Sequence, residues 1–246
     1  MLLFSYMLAY VKKKYYLCCR FSRAHKTHTY THMKIALIGY GKMGHMIEEI
    51  ALSRGHEVVA RIDVGDEFDL KDAEVAIEFT TPGTAKENIL RSWAHGVPVV
   101  CGSTGWDAAA LMEEDKLIHE KPMLIWKSNF SVGVNIFFDL NKELAAAMKN
   151  QPQYTPSITE IHHIHKLDKP SGTAKTLAED ISAMYKGTMY NVQRDVPIES
   201  IREGEVPGTH EVKWDSEEDT IVITHIAKGR RGFALGAVLA AEALNC

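Results

Sequence analysis

The sequence predicts an α/β fold whose front half contains a parallel sheet. From residue 34 onward, short apolar runs typical of buried parallel strands alternate with segments whose apolar residues recur at helical spacing. A glycine triplet separates the first run from the first helical segment, and an acid ends the next run. These features together indicate a Rossmann-like sheet that binds a dinucleotide.

The first strand is predicted at residues 34–38, and the helix that follows starts inside a G-x-G-x-x-G loop. Gly39 permits a tight turn, Gly41 lets the backbone approach a pyrophosphate, and Gly44 lets the helix pack closely. The helix start offers free N–H groups and a positive dipole end to phosphate. Gly55 is expected to stop this helix. Glycines used only for turns remain an alternative.

The second strand is predicted at residues 58–62, and Asp63 follows it. A carboxylate there accepts hydrogen bonds from ribose hydroxyls and repels a 2′-phosphate, so NADH is favoured. Lys42 lies inside the loop and leaves NADPH open. The cofactor-binding candidates of this unit are Gly39, Tyr40, Gly41, Lys42, Met43, Gly44 and Asp63.

Three more apolar runs each end in polar or glycine-bearing residues. The first ends at residues 79–81, with Pro82 expected to open a helix. The other two, at 97–101 and 123–126, predict cofactor contacts at the residues that follow them, because ligands lie at the carboxyl ends of parallel strands. These candidates are Gly102, Ser103, Thr104, Lys127, Ser128, Asn129 and Phe130.

A dense cluster of histidine and lysine occupies residues 159–176, TEIHHIHKLDKPSGTAKT. A strand is predicted at 157–161, and Ser171 is a plausible N-cap for the helix that follows. Helix-start amides, the Lys166 ammonium and the Thr173 hydroxyl suit a small anionic substrate, particularly a carboxylate. A histidine that titrates near neutrality can donate a proton.

Two other interpretations of this cluster stay open. The imidazoles are numerous enough for a metal, but the adjacent lysine opposes a cation and the spacing fits no common zinc arrangement; no metal is expected. Some of the histidines are also expected to be purely structural.

Composition excludes several classes of protein. The chain has 246 residues and a net charge of −4, with 46% hydrophobic residues. Residues 1–33 carry six basic side chains and no acid, which leaves 22 basic against 32 acidic side chains in the remainder. A body this acidic is not expected to bind nucleic acid. No stretch is long enough to span a bilayer, and no membrane partner is expected.

The four cysteines form no C-x-x-C pair, which predicts a reduced, cytoplasmic protein. Cys101 is expected to fill an apolar position and not to act as a nucleophile. The basic segment 1–32 lacks the order of regions found in a secretory signal. A solvated tail, a weak membrane-surface anchor and upstream codons remain possible, and the last is favoured because Met33 directly precedes a strand.

The stretch EIHHIHKLDKPSGT is similar to the E-x-H-H-x-x-K-x-D-x-P-S-G-T signature of the 4-hydroxy-tetrahydrodipicolinate reductase family. FTTPGTAKEN, GSTGW, SNFSVGVN, GTHEV and GRRGFALGA resemble its other blocks in the same order, from Met33 to the end. The resemblance implies reduction of a cyclic imine dicarboxylate by NADH or NADPH, a step of lysine and diaminopimelate biosynthesis.

Site roles follow from the resemblance residue by residue. It implies catalytic roles for His162 and Lys166. It implies substrate contacts by His163, Ser171, Gly172 and Thr173, and further cofactor contacts by Arg230 and Phe233. In this sequence the glycine loop is one residue shorter than the commoner G-x-x-G-R-M-G, Lys127 replaces a usual small residue, and residues 188–208 form a short segment.

The resemblance also implies two domains and a homotetramer. We expect residues 1–32 to be a non-native or disordered extension. Residues 33–129 would form the dinucleotide-binding domain, and residues 130–230 an α+β domain with an open mixed sheet for substrate binding and oligomerisation. A helix at 231–246 would return to the first domain. Another NAD(P)-dependent dehydrogenase and a non-catalytic dinucleotide sensor are the alternative functions.

Overall fold

The computed structural model describes residues 32–185 and 195–245. Predictions for residues 1–31, and for part of the short segment after residue 187, lie outside the described residues. The first sheet is parallel, with strand order β2-β1-β3-β4-β5. Its strands are β1 (Lys34–Ile38), β2 (Glu57–Ile62), β3 (Val75–Glu78), β4 (Val99–Cys101) and β5 (Leu124–Trp126).

Both faces of this sheet are covered, which explains why its strands are nearly continuous apolar runs. Alternate residues point to opposite faces, so Leu37 lies in one core cluster and Ile38 in the other. Two helices cover the Leu37 face and two cover the Ile38 face. They are α1 (Lys42–Ser53) and α6 (Arg231–Leu244) on the first, and α2 (Ala85–Ala94) and α3 (Ala108–Ile118) on the second.

The helix expected to open at Pro82 begins three residues later, at Ala85. A hydrogen-bonded turn precedes it, in which the Thr84 and Ala85 amides donate to the Thr81 carbonyl. The Thr84 hydroxyl lies 2.9 Å from the hydroxyls of both Thr80 and Thr81. Threonine side chains that bond locally compete with helix formation, which accounts for the delay.

The second sheet is mixed, with strand order β7-β6-β8-β9. Strands β6 and β7 are parallel, and the other two pairs are antiparallel. Helices α4 (Val132–Met148) and α5 (Gly172–Tyr185) pack on it around the buried Trp214. The strands are β6 (Thr155–His162), β7 (Ile198–Arg202), β8 (Thr209–Asp215) and β9 (Thr220–Ile226). The predicted fold class is confirmed by the two sheets.

Helix α6 packs on the first sheet although it follows the second sheet in the chain. Ala234, Ala237, Val238 and Ala241 are buried in the same cluster as β1 and β3. Small side chains permit this close approach: a Cβ on Gly236 would lie 1.7 Å from the Phe130 carbonyl oxygen. Within the described part of the chain, no helix is both long and apolar enough to cross a membrane.

Candidate active site

The glycine loop lies at the carboxyl end of β1, beside the end of β3. Gly39 has a φ of +92°, and a Cβ there would lie 2.2 Å from the Phe79 carbonyl oxygen. A Cβ on Gly44 would meet the Gly39 carbonyl oxygen at 2.4 Å, so only glycine fits either position. A Cβ on Gly41 would meet no atom of the described residues within 4 Å, which leaves the backbone open to a phosphate.

The end of β2 carries more acid than the sequence motif alone indicates. Asp63 is exposed after β2, and its amide donates to the Asp66 carboxylate at 2.9 Å. Lys42, the first residue of α1, is also exposed. Arg61 is bound to the Glu48 carboxylate, which also accepts from the Tyr40 hydroxyl. The positive charge of Arg61 is therefore already paired with the Glu48 carboxylate.

The turn after β4 is the second predicted cofactor segment. Ser103 is buried, and its hydroxyl accepts from the Thr80 amide at 2.8 Å. Its carbonyl accepts from the indoles of Trp106 and Trp126. A Cβ on Gly102 would lie 2.2 Å from the Phe79 ring, so this turn is packed tightly against the end of β3. Thr104 stays exposed.

The segment after β5 is the third predicted cofactor segment. The Lys127 ammonium donates to the Asn135 side chain at 3.0 Å, and the Asn129 side chain accepts from the Ser131 amide. Ser128 is exposed, whereas Phe130 is buried with its ring 6.1 Å from that of Phe79.

The start of α6 lies beside this third segment, because a Cβ on Gly232 would lie 3.6 Å from the Ser131 hydroxyl. Arg230 is exposed and Phe233 is half-buried in this first turn. Met43 is half-buried as well, but it packs against the core beneath the glycine loop. The predicted cofactor segments after β1, β4 and β5 therefore meet around the end of β3, at the carboxyl ends of the strands.

His162 ends β6, and its orientation is set by a carboxylate two residues earlier. Its Nδ1 is hydrogen-bonded to the fully buried Glu160. The other Glu160 oxygen accepts from Arg202 at 2.9 Å and from the Ser171 amide at 3.3 Å. Burial alone would raise the pKa of Glu160, but hydrogen bonds from Arg202 and His162 lower it. An ionised Glu160 thus fixes the His162 ring with Nε2 facing away from it.

The second ring nitrogen of His162, Nε2, faces Gly208. A Cβ on Gly208 would approach Nε2 to 3.1 Å, so a side chain there would crowd this atom. Burial lowers the pKa of His162, and the Glu160 carboxylate opposes this shift. The charges of Lys166 and Arg202 lower the pKa of His162 further.

Lys166 lies in the turn between β6 and α5. Its ammonium is 2.8 Å from a carboxylate oxygen of Asp168. Burial alone would raise the pKa of Asp168, but the hydrogen bond and charge of Lys166, together with backbone N–H groups that include that of Gly172, lower it below its usual value. The ammonium and the start of α5 thus already converge on one carboxylate, that of Asp168.

Ser171 caps α5 as predicted, since its hydroxyl accepts from the Ala174 amide at 3.2 Å. The same hydroxyl lies 3.1 Å from Nε2 of His210, and both residues are buried. With both of these partners, the Ser171 hydroxyl is held inside the fold. Thr173 is half-buried one residue into the helix. The substrate-binding role of Ser171 stays a prediction, as do those of Gly172 and Thr173.

His163 and His165 diverge from His162. His165 is exposed beside Glu205, at 3.2 Å. His163 is half-buried, and its Nδ1 has no hydrogen-bond partner within the residues described by the structure. A donor or acceptor on a bound ligand would satisfy that nitrogen.

Glu160, His162 and His210 each offer an atom within 4.8 Å of the others, which is close enough for a cation. Arg202 is bound to the same carboxylate, and Lys166 acts on the same imidazole. Two fixed positive charges oppose a metal ion at this position. The arrangement suits anion binding and proton donation better.

A chain of contacts connects the two halves of the site. His210 is edge-on to His162, with ring centroids 5.0 Å apart, and is the β8 partner of His225 on β9. Nε2 of His225 would lie 3.0 Å from a Cβ on Gly133, just after the segment that ends in Phe130. The predicted cofactor segment after β5 and the histidine cluster are thus linked through side chains of the second sheet.

Two family models match this chain, one over the part with the first sheet and one over the part with the second sheet. The family model described as dihydrodipicolinate reductase, N-terminus, matches residues 33–130. The model described as dihydrodipicolinate reductase, C-terminus, matches residues 133–246. A 4-hydroxy-tetrahydrodipicolinate reductase from Christiangramia forsetii is 49% identical over 223 residues, covering 87% of this chain and 92% of that protein. The chain belongs to the dihydrodipicolinate reductase family.

Two further relatives agree with this assignment. A 4-hydroxy-tetrahydrodipicolinate reductase from Staphylococcus aureus (strain MRSA252) is 36% identical over 233 residues, covering 86% of this chain and 95% of that protein. The dipicolinate-bound dihydrodipicolinate reductase from Paenisporosarcina sp. TG-14 has the same fold. Its TM-score is 0.69 at 22% identity, over 87% of this chain and 95% of that one. The family resemblance predicted from the sequence is confirmed.

Sequence reasoning missed the residues that hold the dihydrodipicolinate reductase signature in place. Glu160 and Arg202 form a buried ion pair behind His162, and His210 supports Ser171. Glu160 could have been found from the sequence. It stands two residues before His162 on a predicted strand, so the two side chains share a face. Arg202 and His210 come from other strands, and no local pattern in the sequence pairs them with Glu160.

Proposed function

We propose that this chain catalyses the NAD(P)H-dependent reduction of 4-hydroxy-tetrahydrodipicolinate to tetrahydrodipicolinate, in lysine and diaminopimelate biosynthesis. The assignment rests on family membership over residues 33–130 and 133–246. The observation in the fold that carries it is the convergence of His162, Lys166 and the start of α5 through Glu160 and Asp168.

The residues divide into two sets. The glycine loop from Gly39 to Gly44 and the turns at residues 102–104 and 127–130 would hold the dinucleotide. The bound nicotinamide supplies a hydride. His162, with Nδ1 fixed by Glu160, would donate a proton from Nε2. Lys166 and the Gly172 and Thr173 amides would bind a substrate carboxylate, and His163 would contact the substrate.

Substrate binding in this arrangement requires an exchange of partners. The Lys166 ammonium now pairs with Asp168, which is about half-exposed. A substrate carboxylate would share or replace that pairing at the start of α5. Arg230 and Phe233 would contact the cofactor from the first turn of α6.

For the cofactor we propose a preference for NADH. Asp63 and Asp66 place two carboxylates where the adenosine ribose would lie, and Glu48 already matches the charge of Arg61. Two negative charges repel a 2′-phosphate by Coulomb forces. Lys42 is the remaining cation in this loop that would favour NADPH. The ratio of kcat/KM for the two cofactors measures the preference.

We propose a homotetramer built through the second sheet, with dinucleotide binding by residues 33–129 and substrate binding and oligomerisation by 130–230. Strand β9 exposes Ile221, Val222 and Ile226, and apolar side chains gathered on an edge strand favour burial against another copy. Mass photometry of the purified protein would show a tetramer, and a monomer would contradict the proposal. We also propose a cytoplasmic location.

The reaction is tested by coupling the purified protein to the preceding enzyme of the pathway, with that enzyme's substrates and NADH. Loss of absorbance at 340 nm that requires both proteins is expected. A protein that binds NADH but leaves the absorbance unchanged would favour a dinucleotide sensor instead. Oxidation that proceeds with an unrelated amino acid or sugar would favour another dehydrogenase.

A further inference from the structure

The end of β3 is the point at which the cofactor segments meet. The Phe79 carbonyl lies against Gly39 of the glycine loop, and the Phe79 ring lies against Gly102 of the next turn. The Thr80 amide donates to the Ser103 hydroxyl at 2.8 Å. Any shift of residues 79–80 would therefore move both loops, because the two glycine positions leave no free space.

A fully buried carboxylate holds this point in place. Glu78 is the last residue of β3 and has no exposed surface. One of its oxygens accepts from the Thr80 hydroxyl and from the Thr80 amide, at 3.1 Å for the amide. The other accepts from the Cys101 thiol at 2.9 Å. The carboxylate thus joins the ends of β3 and β4 from inside the sheet.

Such a group is unusual in a strand that is otherwise apolar. Burying a carboxylate is costly unless hydrogen bonds replace its water, and here three protein donors do so. Burial and the nearby Glu78 charge both raise the pKa of the Cys101 thiol, so Cys101 remains a protonated donor. The arrangement uses Cys101 as a hydrogen-bond donor, beyond the apolar filler expected from the sequence.

We propose that Glu78 is a positioning residue for the nicotinamide dinucleotide, because it fixes Thr80 and thereby the loops at Gly39 and Ser103. Glu78 itself does not touch the cofactor in this proposal. The inference rests on the proposed function, since it assumes that these two loops hold the dinucleotide.

The test compares two isosteric acid-to-amide changes at buried carboxylates, one at the end of β3 and one on α3, which packs on the same sheet. Glu78→Gln alters the carboxyl end of β3. Asp115→Asn alters another buried carboxylate, which accepts from the Met123 and Leu124 amides at the amino end of β5, away from the carboxyl ends of the strands. NADH affinity is measured by the fluorescence of the bound nucleotide, and thermal unfolding reports the stability of each variant.

We expect Glu78→Gln to weaken NADH binding about tenfold, the range of one hydrogen bond to a charged group. Asp115→Asn should change the affinity less than about twofold at a comparable loss of stability. At saturating NADH, Glu78→Gln should keep most of its kcat while the KM for NADH rises. If Glu78 had a purely structural role, both variants would instead lose NADH affinity to the same extent.

Equal NADH affinities of Glu78→Gln and the wild type, or equal losses in the two variants, would overturn the proposal. If Glu78→Gln does not fold, Thr80→Val removes the hydroxyl donor with little change of shape. It should then weaken NADH binding several-fold, and wild-type affinity would overturn the proposal. A wild type that binds NADH without turnover would refute the proposed reaction and leave this comparison intact.

Discussion

The His162 imidazole owes its orientation to Glu160, two residues earlier on the same face of β6. Glu160 in turn is held by Arg202 from β7 and by the Ser171 amide from the start of α5. One buried carboxylate therefore fixes the His162 ring, the proposed proton donor, and the amide-rich turn in a single geometry. Its negative charge also raises the pKa of His162 against the effect of burial.

Replacing Glu160 with Gln should shift the pH dependence of the reaction. Without the carboxylate charge, burial lowers the pKa of His162 further, so the protonated donor is lost at a lower pH. We expect the midpoint of kcat/KM on the alkaline side to fall by about one pH unit. The pH–rate profile of the variant measures this shift.

The matched control is Glu205→Gln, which removes the carboxylate beside the exposed His165. That change should leave the profile at its wild-type position, because a solvent-exposed pair contributes little. An unchanged midpoint in Glu160→Gln would show that Glu160 does not tune His162.

At the scale of single residues, the sequence predicts the groups that face a ligand better than the groups behind them. His162, Lys166 and the start of α5 stand within twelve positions, so their proximity can be predicted from a turn. Glu78, Arg202 and His210 act through strand pairing between distant segments. Pairing register depends on the whole sheet, and one sequence does not reveal it.

Among the helices, α6 packs closely against the segment at 127–130, which is one of the predicted cofactor segments. Its small residues allow it to approach the Phe130 carbonyl, and the family resemblance implies the helix itself, at 231–246. The contact at Gly236 is not predictable, because helix propensity alone would favour alanine there. In the same way, Pro82 predicts an early start for α2, but threonine side chains form a turn first.

Replacing Gly236 with Ala should destabilise the protein, although this change normally stabilises a helix. The new Cβ would meet the Phe130 carbonyl oxygen at 1.7 Å, so the helix or the segment at 127–130 must shift. We expect a loss of about 1–3 kcal/mol in the free energy of unfolding, typical of overpacking. Chemical denaturation measures it.

Gly232→Ala in the first turn of the same helix is the control, since its Cβ would make an ordinary contact at 3.6 Å. It should be neutral or stabilise the protein by up to about 1 kcal/mol. Equal stabilities of the two variants would contradict the close approach of α6 to Phe130.

For the whole molecule, the buried histidine cluster couples stability to pH. Burial, and then the nearby His162, lower the pKa of His210 to about 4. An unfolded histidine titrates near 6.5, so the unfolded chain binds more protons between these values. The contribution of neutral His210 to stability is therefore complete above about pH 6.5 and is lost as the pH falls toward 4.

His210→Asn should reduce this acid sensitivity. We expect the wild type to lose up to about 3 kcal/mol more than the variant between pH 7 and pH 4, in urea unfolding at each pH. His165→Asn, at an exposed position, should keep the wild-type dependence. If the free energy of unfolding of His210→Asn fell with pH as steeply as that of the wild type, groups other than His210 would dominate acid unfolding.

The parallel sheet is the part of the molecule that the sequence predicts most completely. Apolar runs, the glycine triplet and Asp63 predict the parallel sheet, because its strands are short, buried and separated by helices. The order of the strands in the second sheet comes from non-local pairing, and its short polar-faced strands give only weak local signals.

We propose that His162 and Lys166 together perform the chemistry beside the start of α5. The most direct test measures kcat and NADH affinity for His162→Gln and Lys166→Ala beside the exposed neighbours His165→Gln and Lys169→Ala. We predict that the first pair loses about 10²–10⁴-fold in kcat with NADH affinity unchanged, and that the second pair stays near the wild type. Wild-type turnover in either His162→Gln or Lys166→Ala would contradict these catalytic roles.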